Sequence, residues 1–75
     1  MYSLLTIHCQ PSLLETIKEL GLDWAYSTDA ISNQIDVFLP YTNEVESINN
    51  KYDNDEDFVN HYGLNFDSVN YIELI

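Results

Sequence analysis

The chain has 75 residues, of which 45% are hydrophobic, so it is long enough for one domain with one modest core. Thirteen Asp and Glu residues stand against two Lys and no Arg, which gives a formal net charge of −11. A charge this negative repels nucleic acid and acidic membranes and attracts basic surfaces, so we expect neither direct nucleic-acid binding nor membrane binding. We expect residues 1–75 to form a single acidic domain.

The first part of the chain predicts a strand followed by a helix. Residues 1–9 are rich in β-forming side chains and place Leu5 and Ile7 on one face. Ser12 and Glu15 have the spacing of a capping box, and an apolar stripe of leucine and isoleucine follows. Gly21 is placed to end this helix.

The middle of the chain predicts a β-hairpin. Residues 22–28 and 34–39 alternate between apolar and polar side chains, and they flank a loop of five or six residues. We expect Leu22, Trp24 and Tyr26 to share the buried face of the first of these strands.

The last part predicts two helical segments and a strand. Thr42 can cap a helix that ends or kinks at residues 49–50, because consecutive asparagines are poor in a helix interior. A short helical segment is predicted to begin near Asp55 and to stop at Gly63, and residues 69–75 are predicted to form a strand.

The order of these elements indicates the fold class. It is the β-α-β-β-α-β pattern of the ferredoxin-like, or split βαβ, arrangement. We therefore expect an α+β domain in which helices cover one face of a four-stranded antiparallel sheet. The other face would remain open to water, to a partner, or to a second copy in a homodimer.

No pattern in the sequence indicates catalysis or a cofactor. His8 and Cys9 are neighbours, but successive side chains of a strand point to opposite faces, so they cannot form a nucleophile and base pair. Cys9 is expected to be a small buried hydrophobe, and its being the only cysteine indicates a reducing compartment. The triplet of acids at positions 53, 55 and 57 begins like a calcium loop but lacks the required Gly and Glu further on. We expect no enzyme activity, no metal and no cofactor.

The densest concentration of charge lies in the second half of the chain. From Tyr41 onward there are eight acids and one Lys, against five acids and one Lys in the first forty residues. Carboxylates three or four residues apart on a helix lie roughly 5–6 Å apart, close enough to engage a basic groove. Aromatic side chains among them would add contact area. The predicted partner-binding residues are Glu44, Glu46, Tyr52, Asp53, Asp55, Glu56, Asp57 and Tyr62.

The chain resembles small acidic inhibitors of phages and mobile elements. The resemblance lies in its length, its charge, its lack of Arg, its mixed α/β pattern and the acidic and aromatic run from Lys51 to Phe58. These include DNA-mimicking antirestriction proteins, anti-CRISPR proteins and uracil-glycosylase inhibitors. The resemblance implies that the protein blocks the basic nucleic-acid-binding surface of a host defence protein or nuclease without turnover.

Two other functions stay open at this point. Residues 61–69 resemble a segment of barstar-like inhibitors, which implies an immunity protein or antitoxin against a basic nuclease, although a strand follows here where that family has a helix. The third is an acidic adaptor that bridges proteins through its open sheet face. No apolar run is long enough to span a membrane and no basic flank precedes an apolar core, so we expect no signal peptide and a cytoplasmic location, including the cytoplasm of an infected host cell.

Overall fold

The structure is a computed structural model that describes residues 3–74, so the predictions for Met1, Tyr2 and Ile75 lie outside the described residues. A four-stranded antiparallel sheet and three α-helices make an α+β fold. In chain order the elements are β1 (Ser3–Cys9), α1 (Pro11–Glu19), β2 (Ala25–Asp29), β3 (Gln34–Pro40), α2 (Asn43–Lys51), α3 (Asp55–His61), a 3₁₀ turn (Phe66–Ser68) and β4 (Val69–Leu74).

The sheet places β1 and β3 at its centre. The strand order is β2-β3-β1-β4, and each neighbouring pair is antiparallel. Ile7 of β1 is opposite Val37 on one side and Ile72 on the other. Since the side chains of a strand alternate between faces, this register puts the three apolar side chains on the same face.

That face carries the core. Leu5 and Ile7 of β1 and Val37 and Leu39 of β3 are buried, which confirms the predicted alternation in both strands. All three helices contribute buried side chains to the same cluster: Leu13, Ile17, Val45, Phe58 and Val59. Each fully buried aliphatic or aromatic side chain stabilises the fold by about 1.5–3 kcal/mol, so the core depends on helices and sheet together.

Helix α1 ends as predicted but begins differently. Gly21 has a positive φ of 75°, and its N–H donates to the Lys18 carbonyl while the Leu22 N–H donates to the Ile17 carbonyl, which is the Schellman ending. The capping-box prediction was wrong, because Gln10 is the N-cap residue and makes no side-chain cap hydrogen bond. Pro11 suits the first helical position, and this moves Ser12 inside the helix.

The hairpin forms, but its first strand is displaced. Strand β2 begins at Ala25, which pairs with Phe38, and it runs to Asp29, which pairs with Gln34. The loop therefore has four residues rather than five or six. Tyr26 was expected in the core but is exposed, because β2 is an edge strand.

The second helical region contains two separate helices. The Thr42 hydroxyl accepts a hydrogen bond from the Val45 N–H at 3.2 Å, which confirms the predicted cap of α2. Helix α2 does not end at residues 49–50 but continues to Lys51, since Asn49 is half-buried and Ile48 packs against the core. Helix α3 begins at Asp55 and Gly63 follows it with a φ of 81°, both close to prediction.

No helix within residues 3–74 is both long and apolar enough to cross a membrane.

Candidate functional site: an acidic surface and the cavity beside it

Most side-chain carboxylates have no cationic partner in the part of the chain that the structure describes. Among residues 3–74, which include all thirteen acids, the only ion pairs join His8 to Asp36 and to Glu73. The remaining eleven carboxylates therefore have no positively charged partner within 4.0 Å in this described part of the chain.

Both lysines lie against aromatic rings. Lys18 Nζ lies 5.0 Å from the centre of the Tyr26 ring, and Lys51 Nζ lies 5.4 Å from the centre of the Tyr52 ring. These are cation–π distances, and neither ammonium group is paired with a carboxylate of residues 3–74. The charge imbalance seen in the sequence is thus an imbalance on the folded surface as well.

The acids around the start of α3 are all exposed. Asp53 precedes the helix, and Asp55, Glu56 and Asp57 occupy its first turn. Asn54 caps the helix by accepting a hydrogen bond from the Asp57 N–H at 2.8 Å. Negative side chains are favourable near a helix N-terminus, so the local structure tolerates this concentration of charge.

The first turn of α2 carries the other two predicted acids. Glu44 is exposed, whereas Glu46 is half-buried and so is less outward-facing than expected. Hydrogen bonding with Glu46, and secondarily its negative charge, raises the pKa of Tyr41. We define the acidic surface as Glu44, Glu46, Asp53, Asp55, Glu56 and Asp57.

The two predicted contact tyrosines are partly used inside the fold. The Tyr52 hydroxyl lies 3.0 Å from Nδ1 of His61, which ties the end of α2 to the end of α3. Tyr62 packs edge-on against Trp24 and Phe58, with ring centres 5.0 and 5.5 Å apart. Both tyrosines are half-buried, so each offers only part of its ring to a partner.

The Tyr62 hydroxyl is buried and has no hydrogen-bond partner among residues 3–74. Burial, with a smaller contribution from the charge of Glu44, raises the pKa of Tyr62. Glu44 in the first turn of α2 and Tyr62 at the end of α3 line the same cavity, so the two helix ends lie close together.

A cavity of about 280 Å³ lies at this junction. It brings Glu44 and Tyr62 together with Asp23 and Trp24, which were not predicted as site residues. No periodicity in the sequence joins residues 23–24 to residues 44 and 62, because their proximity comes from tertiary packing. Helix α3 is seven residues long, so the exposed acids at its start are roughly 10 Å along the helix from Tyr62.

The open face of the sheet holds a separate polar cluster. Nδ1 of His8 lies 2.7 Å from Oδ1 of Asp36, and Nε2 lies 3.1 Å from Oε1 of Glu73. The Tyr71 ring stacks on the imidazole at 4.1 Å. Ionised carboxylates only accept hydrogen bonds, so His8 makes both contacts together only as an imidazolium, in which both nitrogens donate.

No pattern in the sequence indicates this cluster, because only the strand register brings His8 opposite Asp36 and close to Glu73. Cys9, the next residue, points into the core and is fully buried, as predicted. Among residues 3–74, no group of three or more His, Cys, Asp and Glu side chains is placed to hold a metal ion.

Comparison of the chain with protein-family models, with curated proteins and with solved structures finds no match.

Proposed function

We propose that this protein is an acidic inhibitor that occupies the basic nucleic-acid-binding surface of a host defence protein or nuclease. The observation that supports it best is that eleven of thirteen side-chain carboxylates lack a cationic partner among residues 3–74. A basic cleft that evolved to bind phosphates would supply the missing cations. The inhibitor would act by stoichiometric binding in the cytoplasm, without turnover and without a cofactor.

The acidic surface is the proposed contact region. Duplex DNA carries one negative charge per ~1.7 Å of axis, and a mimic must offer closely spaced charges of the same sign. Four exposed acids within the five positions 53–57 offer such a spacing. Tyr52 and Tyr62 lie near the ends of α2 and α3 and would contribute aromatic contact beside the charge.

We also propose that the topology is ferredoxin-like. In support, β3 lies between β1 and β2, and β1 lies between β3 and β4, as expected for two interleaved split βαβ units. The proposal requires both crossovers to be right-handed, and it assigns α2 and α3 together to the place of the second helix. An experimental structure with a left-handed crossover would contradict it.

The functional proposal is tested by affinity capture from host-cell extract with three forms of the protein. The first is the natural sequence, and the second is the acidic-surface variant Asp55→Lys/Glu56→Lys/Asp57→Lys. The control is a variant with the same change of charge at three other exposed acids, Glu15→Lys/Glu19→Lys/Asp67→Lys. Each variant moves the formal net charge from −11 to −5.

We expect the natural protein and the control to retain a basic nucleic-acid-binding protein that duplex DNA elutes, and the acidic-surface variant to lose it. If the retained partner is a toxic nuclease encoded beside this protein, the protein is an immunity protein instead. Equal retention by all three forms would show that the acidic surface is not the contact region.

A further inference from the structure

The cavity at the junction of α2 and α3 is lined in part by side chains of the types that bind cations. Trp24 and Tyr62 supply aromatic surface, and Asp23 and Glu44 supply carboxylates. Neither lysine lines it, since Lys18 and Lys51 lie over the rings of Tyr26 and Tyr52. Aromatic faces and carboxylates both attract cations, so the walls favour a positively charged occupant.

The volume limits the size of that occupant. Pockets for drug-sized ligands usually measure about 300–1,000 Å³. The cavity, at about 280 Å³, is smaller, which favours a single side chain over a nucleotide or a peptide segment.

The buried hydroxyl of Tyr62 gives a second indication. It lacks a hydrogen-bond partner among residues 3–74, and buried polar groups are normally paired. Glu44 acts electrostatically on the same side chain. A positively charged hydrogen-bond donor in the cavity would complement the carboxylate of Glu44. A small shift of the Tyr62 side chain would also bring its unpaired hydroxyl to the same group.

We propose that this cavity receives an arginine side chain of the basic partner, with the guanidinium between the Trp24–Tyr62 aromatic pair and the carboxylates of Glu44 and Asp23. The inference rests on the proposed function, which supplies a basic partner. Arginine fits better than lysine because its planar fork stacks on aromatic rings and hydrogen-bonds to carboxylates at the same time.

Trp24 is the only tryptophan in the chain and lines the cavity, so its fluorescence reports occupancy directly. The probe is the peptide acetyl-Gly-Gly-Arg-Gly-Gly-amide, titrated into the full-length protein. Its matched controls carry citrulline, which has nearly the same shape without the charge, or lysine in place of arginine. The protein variants are Glu44→Gln and Tyr62→Phe, with Glu15→Gln as an exposed substitution of equal charge change away from the cavity.

We expect the arginine peptide to change Trp24 emission saturably and to bind more tightly than the lysine peptide, and the citrulline peptide to have no effect. Glu44→Gln is expected to weaken binding about tenfold, and Glu15→Gln less than about twofold. Tyr62→Phe is expected to weaken binding while leaving the circular dichroism spectrum unchanged.

The inference is overturned if the arginine peptide causes no saturable change, if citrulline or lysine binds equally well, or if Glu44→Gln and Glu15→Gln weaken binding equally. This titration needs no partner protein. Its failure alone would therefore remove the arginine cavity and leave the inhibitor proposal to the capture experiment.

Discussion

Cys9 and His8 are adjacent in the chain and lie on opposite faces of the sheet, Cys9 in the apolar core and His8 among carboxylates. The Cys9 thiol is buried in the core, and burial, with a smaller contribution from the charge of Asp36, raises its pKa from 9.0 to about 11. The thiolate is the reactive form of cysteine, so a raised pKa and a buried sulfur make the side chain unreactive at neutral pH. Alternation along the strand predicted that Cys9 and His8 point apart, and the usual burial of a free cysteine predicted its place in the core.

We expect Ellman's reagent to label Cys9 slowly in the native protein and quickly in urea. The unfolded thiol ionises near 9 and the folded thiol near 11, so between these pH values the folded state binds more protons. Stability should therefore fall as pH rises from about 9 to about 11. Cys9→Ala should flatten that part of the pH dependence, and an unchanged slope would contradict the account.

The two helix caps are also properties of single residues. Thr42 and Asn54 accept hydrogen bonds from the backbone N–H groups of Val45 and Asp57. Replacing either cap by Ala should lower the free energy of unfolding in urea by about 1 kcal/mol. Asn50→Ala, an exposed position inside α2, is the control and should leave stability unchanged or slightly raise it, because Ala is the better helix former. Equal effects at all three positions would show that the caps are not stabilising.

At the scale of elements, the sequence predicted helices and strands well and their limits less well. Schellman geometry at Gly21 and the alternation of residues 34–39 depend on local chemistry, so they were predictable. The start of β2 depends on a tertiary contact, because Ala25 is the first residue that pairs with β3, opposite Phe38. The continuation of α2 past two asparagines depends on packing against the core, so local propensity gave the wrong end.

The polar cluster on the open sheet face depends on three strands. Asp36 is the more buried of the two carboxylates, with 30% of its side chain exposed against 63% for Glu73. A buried charged hydrogen bond contributes more than an exposed one, so Asp36→Asn should destabilise the fold by about 1–2 kcal/mol. Glu73→Gln should cost less than about 1 kcal/mol. Urea denaturation of both variants checks the order, and a larger loss for Glu73→Gln would contradict this arrangement.

At the scale of the whole molecule, the charge predicted from composition persists after folding. Eleven carboxylates have no cationic partner within the described range 3–74, and their mutual repulsion opposes the compact state. The exposure of the acids at positions 53–57 could be predicted from the sequence, because charged side chains without a partner stay in water. The cavity could not be predicted, because the loop that carries Asp23 and Trp24 meets Glu44 of α2 and Tyr62 at the end of α3 only through tertiary packing.

Salt should therefore stabilise the protein. Raising NaCl from about 0.01 M to about 1 M shortens the Debye length from ~30 Å to ~3 Å and screens the repulsion. We expect a gain of about 1 kcal/mol, or a rise of about 4–8 °C in Tm. The neutralised variant Asp55→Asn/Glu56→Gln/Asp57→Asn should show a shallower salt dependence, and an equal slope would mean that these acids do not contribute to the repulsion.

The most direct test of the central claim is a competition between this protein and DNA for the captured partner. Fluorescently labelled duplex DNA is bound to the purified partner, and its anisotropy is followed as the inhibitor is added. We predict that the natural protein displaces the DNA at a one-to-one ratio and that the Asp55→Lys/Glu56→Lys/Asp57→Lys variant fails to do so. Unchanged anisotropy with the natural protein, or equal displacement by the variant, would contradict the claim that the unpaired carboxylates are matched by the cations of a nucleic-acid-binding surface.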